Sequence, residues 1–446
     1  MEYIEKYKDK LISDLIGCLS IASVSDDKEN VGRALDYVLN IASEMGMRTE
    51  KLLDGQVGTV EIGQGDETLG ILTHIDVVSE GDPRLWICSP FEGRMIDGRI
   101  YGRGALDDKG PLIACLHAMK AAMEAEGDFT KTVRMIIGTQ EEVEWTDMEA
   151  YVKSCSLPDY GFTPDGEFPI CNIEKGGVDA VLRFPLEEQE TADEGVYLKR
   201  VKGGTAVNIV PGDCTAEFSD GNSLKVMGKT VHSSRPENGQ NAVLLMAEKL
   251  DSMELKENCL LQKMRMIRRR LSDIYGSGVG LYSRSEFYNG EYIHRTVISP
   301  TGIETGEGYL ELTLNVRFSY ETTGDEVCGA LRKFCEEEGG TVLECSALPS
   351  VYVDRSQPFL KKLAEAYEEE TGLKNQFALA YGGSYAKAMK NMVSWGPILP
   401  GMEDTCHEEN EYIKIEDLIT NFNIYRSAIT KIAKSEESFL QTDTLP

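Results

Sequence analysis

The sequence predicts an α/β chain: one domain with a central, mostly parallel sheet flanked by helices, and a second, inserted α+β domain. Three observations carry this. At 446 residues the chain is longer than one core usually serves. Toward both ends, helical patterns alternate with short apolar runs such as "GILTHIDVV" and "VRMIIGT", the rhythm of a helix-covered sheet. Between them, alternating runs such as "YLELTLNVRFSY" (309–320) mix with helices such as "AVLLMAEKL" (242–250).

The elements follow in order. In "MEYIEKYKDKLISDLIGCLSIASVS", Ile4, Leu11, Leu15, Ile16 and Leu19 fall near helical spacing and predict an amphipathic first helix. Glu2, Glu5, Asp9 and Asp14 in the same stretch exclude a secretory signal. "GILTHIDVV" reads as a buried strand ending at His74 and Asp76. "KGPLIACLHAMKAAMEAEG" reads as a buried helix closed by Gly127. In "RMIIGTQEEVEW" (134–145) Met135, Ile136 and Ile137 suit a buried strand, ended by the turn chemistry of Gly138-Thr139. "IEKGG" (173–177), then "VDAVLRFPL" and the polar "EEQETADEG" (187–195), opens the second domain. "FLKKLAEAYEEETG" and "EDLITNFNIYRSAITKIAK" return to helices. The first domain is therefore expected over 1–176 and 347–446, and the inserted one over 177–346. No internal repeat or low-complexity segment is evident.

Composition excludes several functions. A chain that is 41% hydrophobic and 27% charged is an ordinary globular protein. With 75 acidic against 46 basic residues and a net charge of −29, it repels nucleic acid and anionic membrane surfaces. The one basic cluster, "RMIRRR" (265–270), reads as a solvated helix face. No apolar run approaches the roughly 18 residues of a membrane span. Eleven cysteines, an odd number without a C-x-x-C pair, predict free thiols and a reducing, cytoplasmic setting.

The chemistry concentrates at the ends of apolar segments. His74 and Asp76 stand two apart on one strand face, which suits a metal ligand and the carboxylate that orients it, though a surface pair has the same spacing. "YGRGALDDKGP" (101–111) brings Asp107 and Asp108 to the start of a helix. A phosphate-cradling loop is the competing reading, but the glycine spacing of the known motifs is absent. "TPDGEF" adds Asp165 and "TCHEENEY" adds His407. Imidazoles and carboxylates suit zinc or a related divalent ion, and a set this large suggests two. Two ions about 3.5–4 Å apart can polarise a carbonyl and activate one water. His117, in an apolar helix, and His294, in a polar stretch, read as structural.

H-x-D, G-R-G-x-x-D-D-K-G, E-E, P-D and H-x-x-x-E-Y, in that order from residue 74 to 411, resemble the dizinc exopeptidase family of aminoacylases, carboxypeptidase G-type enzymes and carnosinases. "GTQEEVEWTDM", "PDGEFPICNIEKG" and "GGSYAKAM" (382–389) look closest to its bacterial broad-specificity dipeptidases. The resemblance implies that Asp107 bridges two Zn2+ ions, which Mn2+ or Co2+ could replace. It gives His74 and Asp165 to one ion, Glu142 and His407 to the other, and makes Asp76 the orienter of His74. Glu141 becomes the general base on the metal-bridging water, and the Asp107–Asp108 peptide is expected to be cis. The inserted domain is similar to the family's ferredoxin-like lid. There "GKTVHSSRPENGQNA" (228–242) supplies an oxyanion-stabilising histidine, His232. Arg317 in "LNVRFS" and Asn208 in "AVNIVPG" match residues that hold the substrate's terminal carboxylate.

The implied function is metal-dependent hydrolysis of unblocked dipeptides. N-acyl-amino-acid deacylase or carboxypeptidase action is the alternative, since each cleaves an amide beside a carboxylate. A catalytically silent metal-binding protein is disfavoured, because every ligand position and Glu141 are retained. The expected partner is a small peptide, with no nucleic acid and no membrane. The lid, at about 170 residues, leaves monomer and homodimer both open.

Overall fold

The computed structural model describes residues 2–187, 195–204, 206–281, 286–288, 292–380 and 382–440. The chain divides into two compact units, Met1–Glu174 with Val351–Pro446, and Lys175–Ser350. The divisions fall at 174/175 and 350/351, against 176/177 and 346/347 from the sequence.

The first unit is built on a nine-stranded sheet. Its order is Arg48–Leu52, Val57–Gly63, Thr132–Gly138, Thr68–His74, Tyr160–Thr163, Met392–Ser394, Cys171–Glu174 and Val351–Tyr352, with Ala378–Ala380 also on the Cys171–Glu174 strand. The four strands from Thr132–Gly138 to Met392–Ser394 run parallel, and antiparallel pairs flank them. Parallel strands need both faces covered. Accordingly Leu69, Ile71, Leu72, Val133, Met135, Ile136, Ile137 and Phe162 are all fully buried. Helices Glu2–Leu19, Lys109–Glu124 and Ile415–Ala433 join the same core through Leu11, Leu15, Leu112, Leu116 and Phe422. Helix Lys109–Glu124 stops short of Gly127, with Ala125 as its last capping residue.

This topology decides where the chemistry can be. The strands of His74, Gly138 and Thr163 point the same way, so their carboxyl ends share one edge of the sheet. In register, His74 lies beside Gly138, which places Glu141 and Glu142 just beyond the end of the neighbouring strand.

The second unit has its own core and a seven-stranded antiparallel sheet. The order is Ser223–Met227, Asp213–Phe218, Leu198–Gly203, Val297–Gly306, Tyr309–Phe318, Gly176–Pro185 and Thr341–Leu348. Helices Ala242–Asp251, Cys259–Leu271 and Gly324–Glu337 complete an α+β unit larger than a minimal ferredoxin-like domain. The alternation in 309–320 has its cause here: Leu310, Leu312, Leu314, Val316 and Phe318 are buried on one face. The basic run is a charged helix face, with Arg265 and Arg268 on Asp251 and Arg269 and Arg270 on Glu338.

One expectation is corrected. Free thiols were expected throughout, but Cys328 and Cys345 form a disulfide, their Cα atoms 6.4 Å apart, while the other nine cysteines are free. Helix Gly324–Glu337 turns back through Gly339 and Gly340 onto strand Thr341–Leu348, which brings the two residues face to face. An odd number of cysteines carries no trace of that return. Among the described residues no helix is long and apolar enough to cross a membrane.

Candidate metal centre

His74 ends its strand with a side chain only 1% exposed. Its Nδ1 lies 2.9 Å from the backbone carbonyl of Asp76. A carbonyl can only accept, so Nδ1 carries a proton, and the ring is held with Nε2 facing the sheet edge. The orienting role expected of the Asp76 carboxylate thus falls first to that residue's own backbone, with Oδ1 further off at 3.5 Å. The carboxylate, fully buried, is engaged elsewhere: it accepts from Ser25 Oγ at 2.8 Å, Glu141 N at 3.1 Å and Glu142 N at 3.3 Å. Asp76 therefore fixes the adjacent glutamates as well as the histidine.

Asp107 and Asp108 divide their tasks, and the peptide between them is cis. Asp108 is buried and accepts from the backbone N–H of His74 at 3.1 Å. Asp107 offers one oxygen to each of two imidazoles: Oδ1 lies 2.9 Å from His74 Nε2 and Oδ2 lies 3.0 Å from His407 Nε2. His407, in a left-handed backbone conformation with φ 64°, also stands 3.1 Å from Glu142 Oε2. Asp165 Oδ2 lies 3.9 Å from His74 Nε2.

Two donor sets result, His74–Asp107–Glu142 and His74–Glu141–Asp165, each with its donor atoms within 4.8 Å of one another. Four of the expected ligands, His74, Asp107, Glu142 and Asp165, fall within these sets; His407 is in neither, but its Nε2 lies 3.0 Å from Asp107 Oδ2 and 3.1 Å from Glu142 Oε2. Glu141, expected to act as a base, also stands within ligating distance in the second set.

The electrostatics follow from crowding. Burial, with Asp107 adding to it, pushes Asp165 up to about 8. Burial and neighbouring carboxylates also raise Glu141 and Glu142. Against its own burial, Asp107 is held below the usual carboxylate range by hydrogen bonds with His407 and His74. His407 is driven up to about 11 by hydrogen bonds with Asp107 and Glu142. Several buried carboxylates share two imidazole protons, an arrangement that divalent cations would relieve by supplying the positive charge themselves. The nitrogen and oxygen donors fit such ions.

Sequence reasoning missed the residues that hold this edge. Asp147, fully buried, accepts from Thr139 N at 2.6 Å, Gln140 N at 3.1 Å and Tyr385 Oη at 2.7 Å. It pins the turn that delivers Glu141 and Glu142. In the sequence it is one acid in the first turn of helix Thr146–Ser154, a commonplace position. Lys109, also buried, donates to the carbonyls of Cys18 at 3.2 Å and Ile21 at 2.7 Å.

In the second unit hydrogen bonds tie Asn208 and the His232 segment to the strand that carries Arg317. Ser233 N donates to Asn208 O at 2.8 Å, and Ser233 Oγ donates to Asn315 Oδ1 at 2.8 Å, two residues before Arg317 on its strand. Ser234 N donates to His232 Nδ1 at 3.2 Å, so the ring proton resides on Nε2. Burial and Arg317 lower His232, which keeps it neutral. The Arg317 guanidinium lies against Gly177, where a Cβ would come within 2.9 Å of Nη1; its buried Nε makes no hydrogen bond among the described residues. His117 is structural, 2.9 Å from buried Asp14. The His294 side chain lies outside the described residues.

Over residues 70–431 the sequence matches the model of peptidase family M20/M25/M40. The chain belongs to that family. It is a hydrolase of the metallopeptidase class. This M20 chain is 32% identical over 472 residues to "Putative dipeptidase YtjP" of Bacillus subtilis strain 168, covering 97% of the one and 99% of the other. Its fold is similar to that of aminoacylhistidine dipeptidase from Vibrio alginolyticus, with a TM-score of 0.67 at 16% identity over 96% and 97% of the two chains. It is also similar to the Bacillus subtilis YXEP protein, a dinuclear metal binding peptidase of the family, with a TM-score of 0.56 at 14% identity over 96% and 99%.

Proposed function

We propose that this M20 peptidase hydrolyses the peptide bond of unblocked dipeptides with the help of two zinc ions. The observation that carries the reading is Asp107, with one carboxylate oxygen directed to His74 and the other to His407. His74 and Asp165 would hold one ion, Glu142 and His407 the other, and Asp107 both. When bound, such ions polarise the scissile carbonyl and lower the pKa of water. Glu141 accepts the proton of the attacking water and returns it to the leaving amine. Its backbone N–H, fixed by Asp76, sets where that carboxylate can reach. His232, neutral and protonated on Nε2, donates to the developing oxyanion. Arg317 and Asn208 bind the substrate's terminal carboxylate. The names of the B. subtilis and V. alginolyticus relatives support a dipeptide substrate. A reducing, cytoplasmic setting rests on the nine free thiols, and the Cys328–Cys345 disulfide counts against it.

Glu141→Gln and Glu142→Gln separate the roles of the adjacent glutamates. Glu141→Gln should abolish turnover with two ions still bound per chain, whereas Glu142→Gln should weaken or lose one. Elemental analysis and turnover are measured on the same samples. Loss of metal from Glu141→Gln would make Glu141 a ligand, as the second donor set permits, and end the base assignment.

A further inference from the structure

The motif H-x-x-x-E-Y contains a glutamate that the proposed chemistry leaves unused. Glu411 is fully buried, and its carboxylate accepts four hydrogen bonds from a single loop. Oε2 takes Arg103 Nη1 at 2.8 Å and Gly104 N at 3.0 Å; Oε1 takes Leu106 N at 2.8 Å and Asp107 N at 3.1 Å. Its backbone carbonyl takes a fifth N–H from the same loop, that of Gly102, at 3.0 Å. The loop can wrap a carboxylate this closely because Gly104 adopts φ 90°, where a Cβ would press to 2.9 Å on Val77 Cγ1.

We propose that Glu411 is a positioning residue for Asp107, an inference that rests on the dinuclear reading above. Arg103, 2% exposed, neutralises the buried charge, and an ion pair alone would need nothing more. The other three donors are backbone amides, and the last belongs to Asp107 itself. The same short segment carries His407, whose Nε2 meets Asp107 Oδ2. Glu411 thus joins the strand-to-helix loop that presents Asp107 to the C-terminal loop that presents His407, and sets the distance between them. The spacing H-x-x-x-E has a physical reason: the glutamate clamps the loop whose aspartate the histidine faces.

The test is zinc titration of the full-length, metal-stripped protein against a chromophoric chelator, at a temperature where circular dichroism shows wild type and variant folded. Glu411→Gln keeps one acceptor oxygen but turns an NH2 against N–H donors. Zinc affinity should fall about 10–100-fold, the scale of losing an outer-shell partner of a ligand. The Co2+-loaded variant should also show an altered visible spectrum. A merely structural role would lower the melting temperature and leave the zinc affinities of folded protein unchanged; that result overturns the inference. Glu411→Asp, which keeps the charge but cannot span all four donors, carries the same test if the glutamine variant does not fold. A wild type that binds no zinc would overturn the dinuclear reading, and this inference with it. Unchanged binding in both variants, beside a wild type that binds two ions, overturns the inference alone.

Discussion

Tyr385→Phe removes one oxygen atom and should destabilise the first unit by about 2 kcal/mol. Tyr385 is 1% exposed, and its ring packs edge-on against Trp145 at 5.4 Å and against His74 at 6.3 Å between centroids. A phenylalanine ring keeps both contacts. What disappears is the hydroxyl, which donates to Asp147 Oδ2 at 2.7 Å. A hydrogen bond to a charged acceptor is worth about 1.5–3 kcal/mol. Because Asp147 retains Thr139 N, Gln140 N and Met148 N, the lower half of that range applies. The assay is urea unfolding followed by tryptophan fluorescence. All three tryptophans, Trp86, Trp145 and Trp395, lie in the first unit, so the signal reports that unit. The midpoint should fall with the slope unchanged. In a double-mutant cycle with Asp147→Asn the coupling should be about 1–2 kcal/mol. A loss below about 0.5 kcal/mol would refute the view that this hydroxyl holds Asp147 and, through it, the glutamate turn.

Burial, with Arg235 and Arg317 adding to it and Glu237 opposing, pushes Lys175 down to about 8 from its ordinary 10.5. Between those values the unfolded chain binds the extra proton, so this residue's contribution to stability rises with pH. The wild-type minus Lys175→Met stability difference should climb by about 1–3 kcal/mol from pH 7 to 10.5 by circular dichroism, and a flat difference would contradict the buried setting. His232→Ala should lower kcat about 10²–10³-fold with metal content unchanged; parallel loss of metal would make it a ligand. Free dipeptides should be cleaved at least about tenfold faster than N-acetylated ones, because the acidic sheet edge attracts a cationic α-amino group. Comparable kcat/KM for the two would favour deacylase action.

Much of the fold was legible because burial leaves a period in the sequence. The alternation of Leu310, Leu312, Leu314 and Val316 and the unbroken run Met135–Ile137 each report how many faces of a strand are covered. The candidate ligand residues stood out for a different reason: acids and histidines at the ends of apolar strands have no work to do in packing. The supports were not. Asp147 and Glu411 do their work through backbone N–H groups of Thr139, Gln140, Leu106 and Asp107, and a backbone donor has no letter in the sequence. The same limit hid the part Asp76 plays in fixing Glu141 and Glu142, and the helix-to-strand return that joins Cys328 to Cys345.

Strand Met392–Ser394 sits inside the sheet, between Tyr160–Thr163 and Cys171–Glu174. On the ribosome its neighbours emerge first. Roughly 230 residues separate Thr163 from Met392, which at about 5–20 residues per second is a delay of roughly 10–45 s. Through that interval the nascent first unit has a slot where a central strand belongs, with backbone groups on both sides awaiting a partner. The second unit, Lys175–Ser350, is synthesised within the same interval and is free to fold on its own core. His407 emerges later still. The order of synthesis therefore makes the last quarter of the chain the step that closes both the sheet and the histidine–carboxylate cluster, and a chain cut short before it has neither.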